Sequence, residues 1–283
     1  MLEGRRSATA ERVAMRRAWH QLYDDPVVFR DPLALRVLSD ECAVQVRGGD
    51  ERETGSLFAR GLRGFLAARS RFAEEELARA YAKGARQYVV LGAGLDTFAC
   101  RNPYPDLQVF EVDFPETQAW KRGRLGHAGL AIPTTLHFAP LDFERHSLAD
   151  GLGEAGFRRT EPAFFSWLGV VPYLTRAAAF GTLQFIAGLP RGSGVVFDYT
   201  IPREMMSERE RDAFDELAAR VARAGEPFRC FFSPAQLAVD LRALGFTEME
   251  DLGVAELRAR WFPGQGHEQR LHGRSGHLLC AWL

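Results

Sequence analysis

Lysine is almost missing from this chain: of 36 basic residues only Lys83 and Lys121 are lysine, and the rest are arginine. Together with the many alanines, that bias reads as GC-rich coding rather than as a functional basic tract. An excess of either charge is missing too, since 36 basic residues face 37 acidic ones for a net charge of −1. No whole-chain field is therefore available to recruit nucleic acid or an anionic membrane. Cysteine is sparse, and Cys42, Cys100, Cys230 and Cys280 form no CxxC pair, which excludes a zinc knuckle or dithiol motif and suits a reducing cytoplasm. The histidines show no metal-ligand grouping, so no metal is expected. Long hydrophobic runs are absent: the longest nearly uninterrupted one, Pro162 to Leu174, is too short to span a bilayer, and the opening MLEGRRSATAERVAMRRAW has no apolar signal core. The expectation is a cytoplasmic protein that engages neither membrane nor nucleic acid.

What is present is the raw material of a large core, with 46% apolar and 26% charged residues over 283 positions. The first 84 residues carry no convincing strand. Ser7 or Thr9 can cap a helix that stops near Asp24-Asp25-Pro26, and a second helical region runs from Ser56 to Ala82 with Gly84 as its stop. After Gly84 short apolar runs alternate with helix-length segments. The expected strands are Gln87–Leu91, Gln108–Val112, Thr134–Phe138, Ala163–Trp167, Gly194–Tyr199, Phe246–Asp251 and His277–Trp282. Pro115–Leu125, Arg176–Ala187 and Pro234–Leu244 read as helices between them. This pattern predicts an α/β, Rossmann-like sheet of seven mainly parallel strands with helices on both faces. The expected organisation is a helical extension over 1–84 and an α/β core over 85–283, with a charged helical insertion at about 201–225 placed to cover a ligand.

The strongest local signal is QYVVLGAGLDT at 87–97, a buried strand running into Gly92-Ala93-Gly94. Glycines there leave room for a ligand against the backbone and expose N–H groups above the sheet. The next strand ends FEVD, placing Glu111 and Asp113 at 19 and 21 residues after Gly92. That is the spacing at which an acid at a strand tip accepts from ribose hydroxyls, and either of the two can serve. A dinucleotide wants a third small residue and a helix N-terminus for its pyrophosphate, but Thr97 holds that place and Asp96 adds negative charge beside it. A carboxylate suits a cofactor carrying an ammonium and a sulfonium, so the residues favour S-adenosyl-L-methionine. After the third strand, Asp142 is placed to accept from an adenine amino group and Phe143 to pack on the purine; the alternative for Asp142 is a helix N-cap.

These segments, with Gly84-Ala85-Arg86-Gln87, Lys121-Arg122, GVVPYLT at 169–175 and VVFDY at 195–199, resemble the leucine carboxyl methyltransferase family, including its bacterial secondary-metabolite O-methyltransferase branch. The resemblance runs from about Arg69 to Tyr199. It implies a class I methyltransferase fold, S-adenosyl-L-methionine as donor and a carboxyl or hydroxyl oxygen as acceptor. It also implies that Arg69 approaches the cofactor carboxylate, Gly92 lies under the cofactor, Asp113 is the ribose acid, and Asp142 with Phe143 flank adenine. A guanidinium meeting a carboxylate bidentately makes physical sense of Arg69. The chain departs from the family where Leu168-Gly169 replaces Glu-Gly and where Phe98 replaces arginine. The first departure leaves the methionyl ammonium to Ser166, Asp96 or backbone carbonyls.

Methyl transfer from a sulfonium is an in-line displacement that depends mainly on alignment in a dry pocket. A carboxylate acceptor needs no base, whereas a phenol or enol would use one, and His137, His146, His267, His272 and His277 are the imidazoles in the relevant part of the chain. None sits in a diagnostic motif, and no catalytic residue is assigned. The acceptor pocket for a small molecule is expected at the C-terminal edge of the fourth and fifth strands, with Trp167, Tyr173 and Tyr199 as an aromatic wall and Arg203 as a charge. A loop with Trp261-Phe262-Pro263 and Arg270-Leu271-His272 reaches toward the same mouth. Two other readings stay open: a nicotinamide-dependent oxidoreductase and a non-catalytic protein of the same fold.

Overall fold

The computed structural model describes residues 8–50, 55–142, 146–223, 225–263 and 276–283. Its centre is a seven-stranded sheet in the order β3-β2-β1-β4-β5-β7-β6. The strands are β1 Gln87–Leu91, β2 Gln108–Asp113, β3 Leu136–Pro140, β4 Ala163–Trp167, β5 Gly194–Thr200, β6 Glu248–Leu252 and β7 Gly276–Trp282. All pairings are parallel except the two made by β7, which runs antiparallel to both β5 and β6. β1, β4 and β5 are buried along their whole length, as continuous apolar runs covered on both faces must be. The edge strand β6 alternates exposed and half-buried residues before Leu252.

The helices are α1 Ala8–Tyr23, α2 Asp40–Gly48, α3 Leu57–Ala82, α4 Phe98–Arg101, α5 Pro115–His127, α6 Leu148–Glu154, α7 Arg176–Ala187, α8 Glu208–Arg223, α9 Pro234–Leu244 and α10 Val254–Trp261. Local chemistry explains their ends. Ser56 caps α3 by accepting from Ala59 N–H, Thr175 caps α7 through Ala178 N–H, and Pro115 and Pro234 open α5 and α9. α2, not anticipated from the pattern, is bounded by Ser39, which accepts from Cys42 N–H, and by Gly49 in the left-handed region.

One sheet face packs Leu91, Phe110, Trp167, Phe197 and Tyr199 against Leu183 and Ile186 of α7 and Leu237 and Leu241 of α9. The other packs Val90, Phe164, Val196 and Leu278 against Phe72 and Leu77 of α3 and Leu257 and Trp261 of α10. A smaller cluster joins Ala14 and Trp19 of α1 to Val46 of α2, and to Leu95 and Leu125. The N-terminal helices therefore reach the sheet on the side of the β1 turn.

Two expected strand starts move inward by two residues for local reasons. β3 starts at Leu136 rather than Thr134, because Leu136 N–H closes a turn onto Pro133 O. β6 starts at Glu248 rather than Phe246, because Gly245 ends α9 at φ 109° and Phe246 N–H returns to Leu241 O. The insertion at 201–225 resolves into one 3-10 turn, Arg203–Met205, followed by α8. None of the described helices is long and apolar enough to cross a membrane.

Candidate functional site

The β1 turn is a clamp between two strand ends. Gly92 sits at φ 68° and donates to Val112 O at 2.7 Å, while Gly94, at φ 47°, donates to Asp113 Oδ2 at 2.6 Å. Phe114 N–H donates to Asp113 Oδ1 at 2.7 Å. Burial pushes the Asp113 carboxyl up and these two N–H groups pull it down, with a net rise. The space left by the missing side chains is filled by protein. A Cβ on Gly92 would overlap Val170 Cγ2, and one on Gly94 would lie 2.9 Å from Ala10 Cβ of α1. The glycines answer first to backbone conformation and to these two close approaches, and not to an open ligand path as the sequence suggested. Ala93, between them, is buried.

Glu111 and Asp113 part company. Glu111 is 1% exposed, and its Oε2 lies 2.5 Å from Nζ of Lys121 on α5. That contact is a buried ion pair, and the other carboxylate oxygen, Oε1, has no hydrogen-bond partner among the described residues. Burial raises the Glu111 pKa to about 7 despite Lys121. Of the two acids, Asp113 is the one joined to the glycine turn.

A second charged unit lies where β4 and β5 end. Arg69 of α3 donates from Nη1 to Asp198 Oδ2 at 3.0 Å, and Gly169 N–H donates to Asp198 Oδ1 at 2.5 Å. Arg69 and Asp198 are 7% and 6% exposed. Gly169 is at φ 72°, and a Cβ there would sit 2.9 Å from both terminal guanidinium nitrogens, so glycine is what lets Arg69 approach. The next residue, Val170, is the one against Gly92, which sets this unit beside the β1 turn. Leu168 packs on the apolar cluster of the α3 face. Tyr173 is half-buried with its ring 5.3 Å from Phe228. Burial pushes its hydroxyl up to about 12, Glu226 and Asp198 add to that, and Arg69 and Arg16 oppose it.

The remaining expected residues are dispersed. Trp167 is fully buried in the core, 6.1 Å from Phe197. Tyr199 is buried and donates to Asp251 Oδ2 at 2.6 Å; Asp251 Oδ1 lies 3.0 Å from His277 Nδ1, giving a polar chain across β5, β6 and β7. Arg203 is on the surface, bidentate to Asp215 of α8 at 2.9 and 2.6 Å. These placements set Trp167 in the core and Arg203 on the outside rather than along a pocket wall. Asp96 Oδ1 accepts from Phe98 N–H at 2.7 Å. Ser166 is buried beside Tyr88. Asp142 follows β3 but does not cap α6, a role taken by Ser147. His137 pairs with Gln108 at 2.9 Å. Phe143, His267, Arg270, Leu271 and His272 lie outside the described residues.

The residues that sequence reading missed are Asp198, Arg17 and Asp31. Arg17 of α1 donates to Asp31 Oδ2 at 3.0 Å and to Leu95 O at 2.5 Å, and Thr97 Oγ1 donates to Asp31 Oδ1 at 2.6 Å. Thr9 of α1 donates to Glu226 beyond α8. The signals for Asp198 were a carboxylate inside the apolar run GVVFDYT and its place in the family-like segment VVFDY at 195–199. A groove of about 270 Å³ between α6 and α7, lined by residues including His146, Ser147, Thr182 and Phe185, shares no residue with either charged unit. No cluster of metal-ligating side chains occurs among the described residues.

The leucine carboxyl methyltransferase family model matches residues 10–187, from α1 through α7. The chain belongs to the leucine carboxyl methyltransferase family. A family relative from Bacillus subtilis, "Putative S-adenosyl-L-methionine-dependent methyltransferase YktD", is 31% identical over 93% of each chain. A second, a "Putative S-adenosyl-L-methionine-dependent methyltransferase" from Saccharopolyspora erythraea, is 34% identical over 67% of this chain and 66% of its own. The crystal structure of a "putative methyltransferase" from Thermobifida fusca superposes with a TM-score of 0.58 at 16% identity, over 94% of this chain and 93% of that one. The fold of this leucine carboxyl methyltransferase family member is thus the class I methyltransferase fold, with its seventh strand inserted antiparallel between the fifth and sixth.

Proposed function

We propose that the protein is an S-adenosyl-L-methionine-dependent O-methyltransferase that methylates a carboxyl or hydroxyl oxygen of a small molecule, in the manner of the secondary-metabolite branch of its family. The observation that carries this reading is the pairing of Asp113 with the Gly94 N–H at the tip of β2, one turn from the Arg69–Asp198 unit. The donor set fits the cofactor. Each Asp113 oxygen already accepts one N–H and keeps a second lone pair for a ribose hydroxyl, while Arg69 spends only Nη1 on Asp198. Glu111, tied to Lys121, is left as a support behind Asp113. Asp142 is retained on the adenine side.

The same geometry argues against a dinucleotide. The helix after the glycine turn has four residues, its Phe98 N–H is taken by Asp96, and Asp31 stands behind Thr97. A pyrophosphate would meet carboxylates there instead of a free helix N-terminus.

Bound S-adenosyl-L-methionine supplies the activated methyl group. The chain's own residues orient it and exclude water. Tyr173, protonated at neutral pH with a hydroxyl pushed up to about 12, serves as a hydrogen-bond donor toward the acceptor oxygen and not as a base. For a hydroxyl acceptor, His277 is the imidazole best oriented to take a proton, since Asp251 holds its Nδ1. Calorimetry with S-adenosylmethionine, S-adenosylhomocysteine and NAD tests the reading. Binding of the first two and not of NAD is expected, followed by methyl transfer across a panel of carboxyl and hydroxyl acceptors. Binding of NAD alone would return the oxidoreductase, and cofactor binding without turnover on any acceptor would favour a non-catalytic role.

A further inference from the structure

An acid in the middle of an apolar parallel strand needs a reason. β5 is buried throughout, and Asp198 is its only charged residue. Enclosing an ion pair rarely stabilises a fold more than apolar packing of the same volume would. Yet three separate features converge on this one. Arg69 reaches it from α3, Gly169 donates its N–H to the second carboxylate oxygen, and Gly169 has no side chain, which leaves the guanidinium its place. The product is a fixed zwitterion at the C-terminal edge of the sheet, beside the β1 turn, with spare capacity on both halves. The guanidinium has further N–H groups, and each carboxylate oxygen has a second lone pair.

The amino-acid end of S-adenosylmethionine is a zwitterion of complementary sense, carboxylate and ammonium on one carbon. Resting on the cofactor reading above, we propose that Asp198 is the acid that receives the methionyl ammonium while Arg69 receives the carboxylate. The other candidates lack this pairing with Arg69. Leu168 is apolar and packed, Ser166 lies buried beside Tyr88, and the Asp96 carboxylate caps Phe98 N–H. Glu226, which shares the electrostatic neighbourhood of Tyr173, is bound by Thr9. Asp198 is therefore a binding residue and Gly169 its positioning element. The ammonium partner sits on the fifth strand instead of at the tip of the fourth.

The test compares S-adenosylhomocysteine with its analogue lacking the α-amino group, by calorimetry on the full chain. Wild type should prefer the amino-bearing ligand by about 10- to 100-fold, the range of a charged hydrogen bond. In Asp198→Asn, which still accepts from Gly169, the preference should fall to within about threefold. Asp198→Ser, read the same way, covers the case in which the asparagine variant does not fold. A preference that survives in the folded variant, or that is absent from wild type, would overturn the assignment while leaving the cofactor reading intact. Wild type binding neither ligand would instead sink the cofactor reading itself.

Discussion

Arg69–Asp198 and Glu111–Lys121 are both buried ion pairs near the glycine turn, but they are built differently. In the first, the carboxylate receives a guanidinium on one oxygen and a backbone N–H on the other. In the second, a single ammonium meets one carboxylate oxygen and the other oxygen has no partner among the described residues, between side chains 3% and 1% exposed. The first carboxylate is surrounded by donors. The second is not, and burial carries Glu111 to about 7, so that near neutrality it holds a proton part of the time. Proximity of an opposite charge thus does not by itself keep Glu111 ionised. The number of donors around the carboxylate sets the two pairs apart.

The contrast can be broken most forcefully at Lys121. Lys121→Met strands Glu111 in the core, and urea unfolding at pH 8 should show a loss of about 3–5 kcal/mol, most of it recovered in the double variant with Glu111→Gln. Next in size, Arg69→Met should cost about 1–3 kcal/mol, because Gly169 N–H still satisfies one Asp198 oxygen; an equal or larger loss than at Lys121 would undo the comparison. The third effect concerns pH. Glu111 titrates near 7 in the folded chain against an ordinary value of 4.5, so the folded state holds an extra proton in between, and its contribution to stability rises as pH falls through 7 toward 4.5. Unfolding free energies of wild type and Glu111→Gln between pH 8 and pH 5 should therefore diverge, with the variant lacking that rise. Smallest of all, Arg203→Ala should leave thermal melting and cofactor affinity unchanged, since its salt bridge to Asp215 is solvent-exposed on both sides.

Much of the sheet was legible because its central strands are apolar on both faces. Gln87–Leu91 and Ala163–Trp167 appear with the expected bounds, and spacing placed an acid, Glu111 or Asp113, at the tip of the strand after the glycine turn. Short elements escaped for lack of periodicity, as at α2, where the Ser39 cap and the Gly48-Gly49 stop were the available signals. The site was only half legible, for a different reason. Whether Glu111 or Asp113 faces the turn depends on Lys121, on the helix that follows β2, and whether Asp198 meets Arg69 depends on a contact across 129 residues. Trp167 shows the converse. Its aromatic character and strand-end position suit a pocket wall, and only the packing of α7 and β5 around it settles it in the core.

The roof over Gly94 has a consequence for the order in which the molecule comes together. α1 is made before the sheet, yet its Arg17 waits for Leu95 carbonyl 78 residues later, and Thr9 waits for Glu226 across 217 residues. Until then its apolar side has little of the sheet to rest on. Closing such loops is entropically slow, and chains rich in distant contacts fold slowly as a class. On a ribosome α1 would be among the last parts to dock, arriving over a turn that the sheet has already shaped.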